Sequence, residues 1–180
     1  MADKNPVILV PIGFSDQSIL ALDQALVFAK AMHADVTILS VINDDTQLRK
    51  MFKAQAKDES SLRKAVKAKA KEYAEEYSKK HGVEISVMVA SGVVYEEINR
   101  VAELIEAELV IMGTNGKPSN LRKRFIGSNA YRTAVQVEPP VITVRGVRSI
   151  TEINTIIFPL ILDRHSKGKG GPGPALRPRF

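Results

Sequence analysis

Leu109-Val110-Ile111-Met112-Gly113-Thr114-Asn115-Gly116 is the stretch on which the fold turns. Four apolar residues read as a buried strand, and a glycine-bearing loop follows at once. A polar, basic segment then leads to Gly127-Ser128-Asn129, which opens a helical pattern running to about Val137. Val141-Ile142-Thr143-Val144 closes the unit as a second strand. A strand, a glycine loop and a helix N-terminus in that order build an anion site. Gly113 and Gly116 are free to take positive φ and to bring the backbone close to a ligand. The unpaired N–H groups of the helix starting near Gly127 point at the same place, with the positive end of its dipole behind them. One isolated Gly-x-x-Gly is explained as well by turn punctuation. Three glycines around a helix start, directly after a buried strand, point to phosphate.

Outward from this unit, strands and helices alternate. Val7-Ile8-Leu9-Val10 is a continuous apolar run, as expected of a strand covered on both faces, and Pro11 follows it. Ser15 with Asp16 stands at an N-cap position, and apolar residues from Ile19 to Ala29 then recur at helical spacing up to His33. Val36 to Ile42 reads as the second strand. Thr46 to Lys80 is helical and charged, with a new N-cap offered at Asp58-Glu59-Ser60-Ser61. Leu62, Val66, Tyr73 and Tyr77 give that segment an apolar stripe and a solvated face, the pattern of a crossover helix. Val83 to Val89 is the third strand, Tyr95 to Ala107 the next helix, and Leu109 to Met112 the fourth strand.

This alternation predicts an α/β domain, a Rossmann-like open five-stranded parallel sheet with helices on both faces. Ligands of such sheets bind beyond the carboxyl ends of the strands, where the strand order switches direction. Pro11 to Gly13, Val41 to Asn43 and Gly113 to Gly116 all lie at such ends, so they are expected to converge on one crevice.

The 180 residues suffice for one such domain with a full core, and the absence of cysteine excludes thiol catalysis, disulfides and zinc–cysteine sites. No signal-like or membrane-length apolar run occurs near Met1, so a cytoplasmic protein is expected, with no membrane partner. The net charge of +6 is located mostly in residues 164–180, which carry five basic residues and no acid and leave only +1 for the rest.

On these residues the chain resembles the universal stress protein family over residues 5 to about 146. Ile8-Leu9-Val10-Pro11 with Phe14-Ser15 is similar to that family's first strand and turn. Gly92 with Glu96-Glu97-Ile98 and Ala102, leading into Leu109 to Gly113, is similar to its third helix and fourth strand. Gly113-x-x-Gly116 followed by Gly127-Ser128 resembles its nucleotide signature. The resemblance implies a stress-response protein that binds an adenine nucleotide, ATP or AMP, with Mg2+ accompanying ATP. It implies that these glycines and Ser128 hold phosphates and ribose, and that Pro11, Ile12, Gly13 and Val41 surround the adenine. With Met112, Asn115, Lys117 and Asn129 added from the adjoining strand, loop and helix, these form the candidate site. The family often dimerises through its last strand, which implies a homodimer through Val141 to Val144.

Two departures bear on this. Ten residues, Lys117 to Ile126, separate Gly116 from Gly127, where the family's spacing is nine. The extra residue either bulges outward beside Pro118 or swings the Gly127-Ser128 amides aside. Gly13 stands where ATP-binding members usually carry an aspartate, and losing one such contact weakens affinity by roughly 1–3 kcal/mol. The loop cations Lys117, Arg122, Lys123 and Arg124 either pair with phosphate or are ordinary surface charges, and Lys117, next to Gly116, is the best placed. No Walker A motif is present, because Ile111 and Pro118 occupy two of its required positions.

No catalytic constellation is legible. His33, His81 and His165 show neither metal spacing nor clustered acids. Ser15 and Ser128 lack a nearby base and read as an N-cap and an anion contact. Asp16 and Asp44 are the acids nearest the expected crevice, and Asp44 has two readings, a magnesium contact or a turn residue. The expectation is a regulatory protein, not an enzyme, with weak ATP hydrolysis at most.

Residues 1–146 form the expected nucleotide-binding domain. Ile156-Ile157-Phe158-Pro159-Leu160 repeats the character of Ile8 to Ile12, so residues 147–163 read as the stub of a second tandem repeat. Residues 164–180, basic and rich in Gly and Pro, read as a disordered tail. That tail has no interleaved aromatics apart from Phe180, so a solvated tail is expected and nucleic acid is not an expected partner. The alternative to a nucleotide-binding regulator is a dimeric interaction module of the same family that has lost the nucleotide. A nucleotide-cleaving or nucleotidyl-transferring enzyme would carry a Ser-Gly-Gly loop or a His-x-Gly-His pair, and neither occurs.

Overall fold

The computed structural model describes residues 4–44, 47–52, 56–114 and 128–146. The second-repeat stub and the basic tail lie outside these residues. So do Asn115, Gly116, Lys117, Gly127 and the cations between the glycines.

Five strands, β1 (Val7–Pro11), β2 (Asp35–Ile42), β3 (Ile85–Ser91), β4 (Leu109–Gly113) and β5 (Val141–Val144), form one sheet in the order β3-β2-β1-β4-β5. Every pairing is parallel. The helices are α1 (Asp16–Met32), α2 (Gln47–Phe52), α3 (Glu59–His81), α4 (Val94–Leu104) and α5 (Ser128–Gln136).

Side-chain alternation along each strand divides the core between two faces. Ile8 and Val10 of β1, with Leu109 and Ile111 of β4, face Leu22, Leu26, Ala70 and Ala74 of α1 and α3. Leu9, Val110 and Met112 point the other way, against Ile98, Val101 and Ala130 of α4 and α5. A third cluster caps one end, where Leu48 and Phe52 of α2 meet Ile42, Leu62 and Val66. Both faces being covered explains why β1 and β4 read as unbroken apolar runs rather than alternating ones.

The helices start and stop where side chains satisfy their loose backbone groups. Ser15 caps α1 by accepting from the Ser18 N–H. Asp58 and Ser61 form a reciprocal capping box on α3, each accepting from the other's backbone N–H. Gly82 ends α3 in the left-handed conformation.

The expected crossover helix from Thr46 to Lys80 is two helices, α2 and α3, the second opened by its own cap at Asp58. Two further expected boundaries moved by two residues or more. The third strand is Ile85–Ser91 and not Val83–Val89, because its ladder with β2 begins at Val36↔Ile85. Val83 is apolar and buried, but it packs in the core ahead of the ladder. The fourth helix ends at Leu104 and not Ala107, since Glu106 takes a left-handed φ of 54° that breaks the helical run.

Candidate functional site

The switch in strand order falls at β1, whose neighbours are β2 on one side and β4 on the other. Pairing with β2 continues to Pro11↔Leu39, and the Ile12 N–H still donates to the Leu39 carbonyl at 2.8 Å. Pairing with β4 stops earlier, at Leu9↔Val110. Successive residues of a parallel strand turn their N–H groups to opposite sides, so position 11 faces β4, and proline has no N–H to give. The two central strands therefore part at their carboxyl ends.

The opening is a cleft of about 530 Å³, within the usual range for small-molecule sites. Its lining includes Pro11, Ile12, Gly13, Val41, Met112, Gly113, Ser128 and Asn129. These are all the candidate residues that lie among the described ones, gathered from three strand ends and one helix start.

Gly113 lines the cleft and also meets a packing demand that was not expected. Its φ is not positive. A Cβ at this position would stand 2.4 Å from the Gln17 carbonyl oxygen and 2.9 Å from the Ser18 nitrogen. The first turn of α1 lies directly on the end of β4, and the missing side chain lets that helix N-terminus reach the cleft. The Gln17 side chain also ties this turn to the chain leaving β5, donating to the Gly146 carbonyl at 2.7 Å and accepting from its N–H at 3.1 Å.

Gly13 is open. A Cβ there would meet nothing within 4 Å. Its N–H is turned into α1, donating to the Ser18 hydroxyl at 3.3 Å. With Pro11 lacking an N–H and that of Ile12 committed to β2, the segment from Pro11 to Gly13 offers a ligand only carbonyl oxygens. Phe14 follows in the left-handed conformation, φ 57°, and its ring stacks on Tyr73 at 5.6 Å, with Phe52 edge-on at 6.1 Å. The adverse backbone geometry is held by aromatic packing on the far side of the turn.

Three helix N-termini border the cleft, through Ser15 and Ser18 of α1, Val93 to Tyr95 of α4, and Ser128 to Ala130 of α5. The α4 start has no side-chain cap, since its N-cap residue is Val93. Asn43 holds that corner by donating to the Gly92 carbonyl at 3.0 Å, and the Gly92 N–H donates to the Ile42 carbonyl.

Asn43, expected at the crevice from its place beyond the second strand, is in the lining, and residues not anticipated from the sequence join it, Ser18, Tyr95 and Arg132 among them. Ser18 and Arg132 were open to discovery by spacing. The first is three residues past the Ser15 cap, and the second is four past Ser128, on the same helix face. Nothing in the order of residues marks Tyr95, which reaches the cleft only because α4 crosses beside α5.

Asp16 and Asp44 do not line the cleft, and Asp44 pairs with Arg49 at 3.3 Å. No carboxylate occurs in the described lining. Among the described residues no cluster of three His, Asp or Glu side chains could hold a metal ion. The described lining therefore does not fit a protein-held Mg2+.

Fold and site together define an open parallel α/β domain with a concave crevice at its switch point, free of acids in its described lining. Residues 5–145 match the universal stress protein family, and the chain belongs to that family. It is 29% identical over 138 residues to a universal stress protein of Methanocaldococcus jannaschii, covering 77% of this chain and 81% of the relative. Among solved structures, the universal stress protein from Archaeoglobus fulgidus in complex with dAMP superposes with a TM-score of 0.55 at 18% identity, covering 79% and 98% of the two chains. A universal stress protein in complex with cAMP superposes with a TM-score of 0.55 at 20% identity, covering 78% and 96%. At these identities the structural likenesses carry the fold alone. No helix among the described residues is long and apolar enough to cross a membrane.

Proposed function

We propose that this protein is a cytoplasmic stress-response regulator that binds an adenine nucleotide, ATP or AMP, without efficient turnover. One observation carries the reading: three strand ends and three helix N-termini meet at one cleft whose described lining holds no acid. Helix N-termini favour anions through their unpaired N–H groups and dipoles. The Pro11 to Gly13 segment, which presents carbonyls and no free N–H, suits the donating amino group of adenine. Family membership and the two nucleotide complexes of similar fold point the same way. The lack of a carboxylate or histidine in the described lining favours binding over catalysis. Self-association through the edge strand β5, whose Thr143 side chain is exposed, is part of this reading.

Gly13 favours a second reading, an interaction module of the same family without nucleotide. Calorimetric titration with ATP and AMP separates the two. Binding is expected in the wild type, with at least about a tenfold loss in Ser128→Asp, which sets a negative charge at the start of α5. Gly13→Asp places a carboxylate in open space and is expected to tighten binding by roughly 1–3 kcal/mol. No binding at millimolar nucleotide establishes the interaction module.

A further inference from the structure

Arg132 is the single charged residue in the described lining of the cleft. Its guanidinium carbon lies 5.0 Å from the centroid of the Tyr95 ring, so the cation rests on an aromatic face across the gap between α5 and α4. Arg132 is exposed, and no carboxylate among the described residues pairs with it. The acids of α4 that have partners keep them within that helix. Glu97 accepts from Arg100 at 2.7 Å, and Glu103 accepts from Asn99 at 2.8 Å.

A guanidinium held over a ring by cation–π attraction does not spend all five of its N–H donors on that ring. Donors directed away from the ring are able to form two parallel hydrogen bonds to oxygens of one phosphate. Arg132 also stands one helical turn beyond Ser128, so its charge and the first residue of α5 share a side of that helix. A charge held in place by a ring loses less freedom on engaging a ligand than one on a free side chain.

We infer that Arg132, positioned by Tyr95, selects for the phosphate of the bound nucleotide, so that the cleft distinguishes a nucleotide from its nucleoside. Tyr95 is a positioning residue, since it acts through the guanidinium. The inference rests on the proposed adenine-nucleotide reading, and it adds a basis for ligand choice that the glycine signature does not supply.

The test is calorimetric titration of the full chain with AMP and with adenosine, at low and at high salt. Arg132→Gln is expected to weaken AMP about tenfold or more, to leave adenosine unchanged, and to remove most of the salt dependence of AMP binding. Tyr95→Leu is expected to lose part of the AMP affinity, and Tyr95→Phe, which keeps the ring, to restore it. Arg132 is exposed, so melting temperatures should match the wild type and exclude unfolding as the cause. An equal fall for AMP and adenosine, or no change for either, overturns the assignment while leaving the nucleotide reading intact. A wild-type protein that binds neither overturns both.

Discussion

At position 113 a single methyl group decides whether α1 can lie on β4. The space that alanine would need is taken by the Gln17 carbonyl, which is backbone and cannot swing aside. Gly113→Ala is therefore expected to cost about 1–3 kcal/mol or more by overpacking, read as a lower urea midpoint with an unchanged slope. Gly13, beyond the end of the neighbouring strand β1 on the same cleft, imposes no such constraint, which is why one glycine is fixed by packing and the other open to replacement. From the sequence Gly113 reads as a ligand-facing turn residue; it does line the cleft, but the demand of α1 on it is not legible there. Composition and spacing cannot tell a glycine required by a ligand from one required by a helix, because both are demands for the absence of a side chain.

Among the elements, α3 shows how a charged crossover helix can carry a pH response at its end. Tyr73, Tyr77 and His81 succeed one another along it, and the His81 ring stacks on Tyr77 at 6.0 Å. The Nε2 atom of His81 is buried without a hydrogen-bond partner. Burial, with Lys30 of α1 and Lys80 of α3 adding repulsion, holds its pKa below the ordinary 6.5, and Asp23 of α1 opposes this only in part. The folded state thus resists a proton that the unfolded chain accepts. The stability present above pH 6.5 is lost as the pH falls through the lower folded-state value. Chemical denaturation at stepped pH should show that loss, and His81→Phe, which retains a ring against Tyr77, should flatten it. Burial also pushes the Tyr77 phenol up to about 12, so this group withdraws stability only on the alkaline side, as the pH rises through that value. The helix itself was legible in the sequence, including its start at the Asp58 cap. The proton-sensitive end was not, because it depends on α1 residues distant in the chain.

Across the whole molecule, β1 is the keystone. It is paired on both edges, and its side chains feed the clusters on both faces of the sheet. Leu9 is fully buried at the last pair of the β1–β4 ladder, where the strands begin to part. Leu9→Ala is expected to cost about 2–5 kcal/mol through lost burial and a residual cavity. Circular dichroism and tyrosine fluorescence should lose their signals in one coincident transition, since one sheet supports all the clusters. Exposed ion pairs such as Lys4–Glu106 contribute little by comparison.

Though it left the division of Thr46 to Lys80 into α2 and α3 open, the sequence by itself determined the five strands and the helical character of the segments between them, the caps at Ser15 and Asp58, and the meeting of strand ends at one crevice. All of these follow from local periodicity and from the rule that parallel sheets bind at a switch point. Tertiary structure alone decided the seat of α1 on Gly113, the start of β3 at Ile85, and the placing of Tyr95 beneath Arg132. Each depends on contacts between segments far apart in the chain. Periodicity reports how one segment meets its own environment, and it carries no record of which other segment supplies that environment.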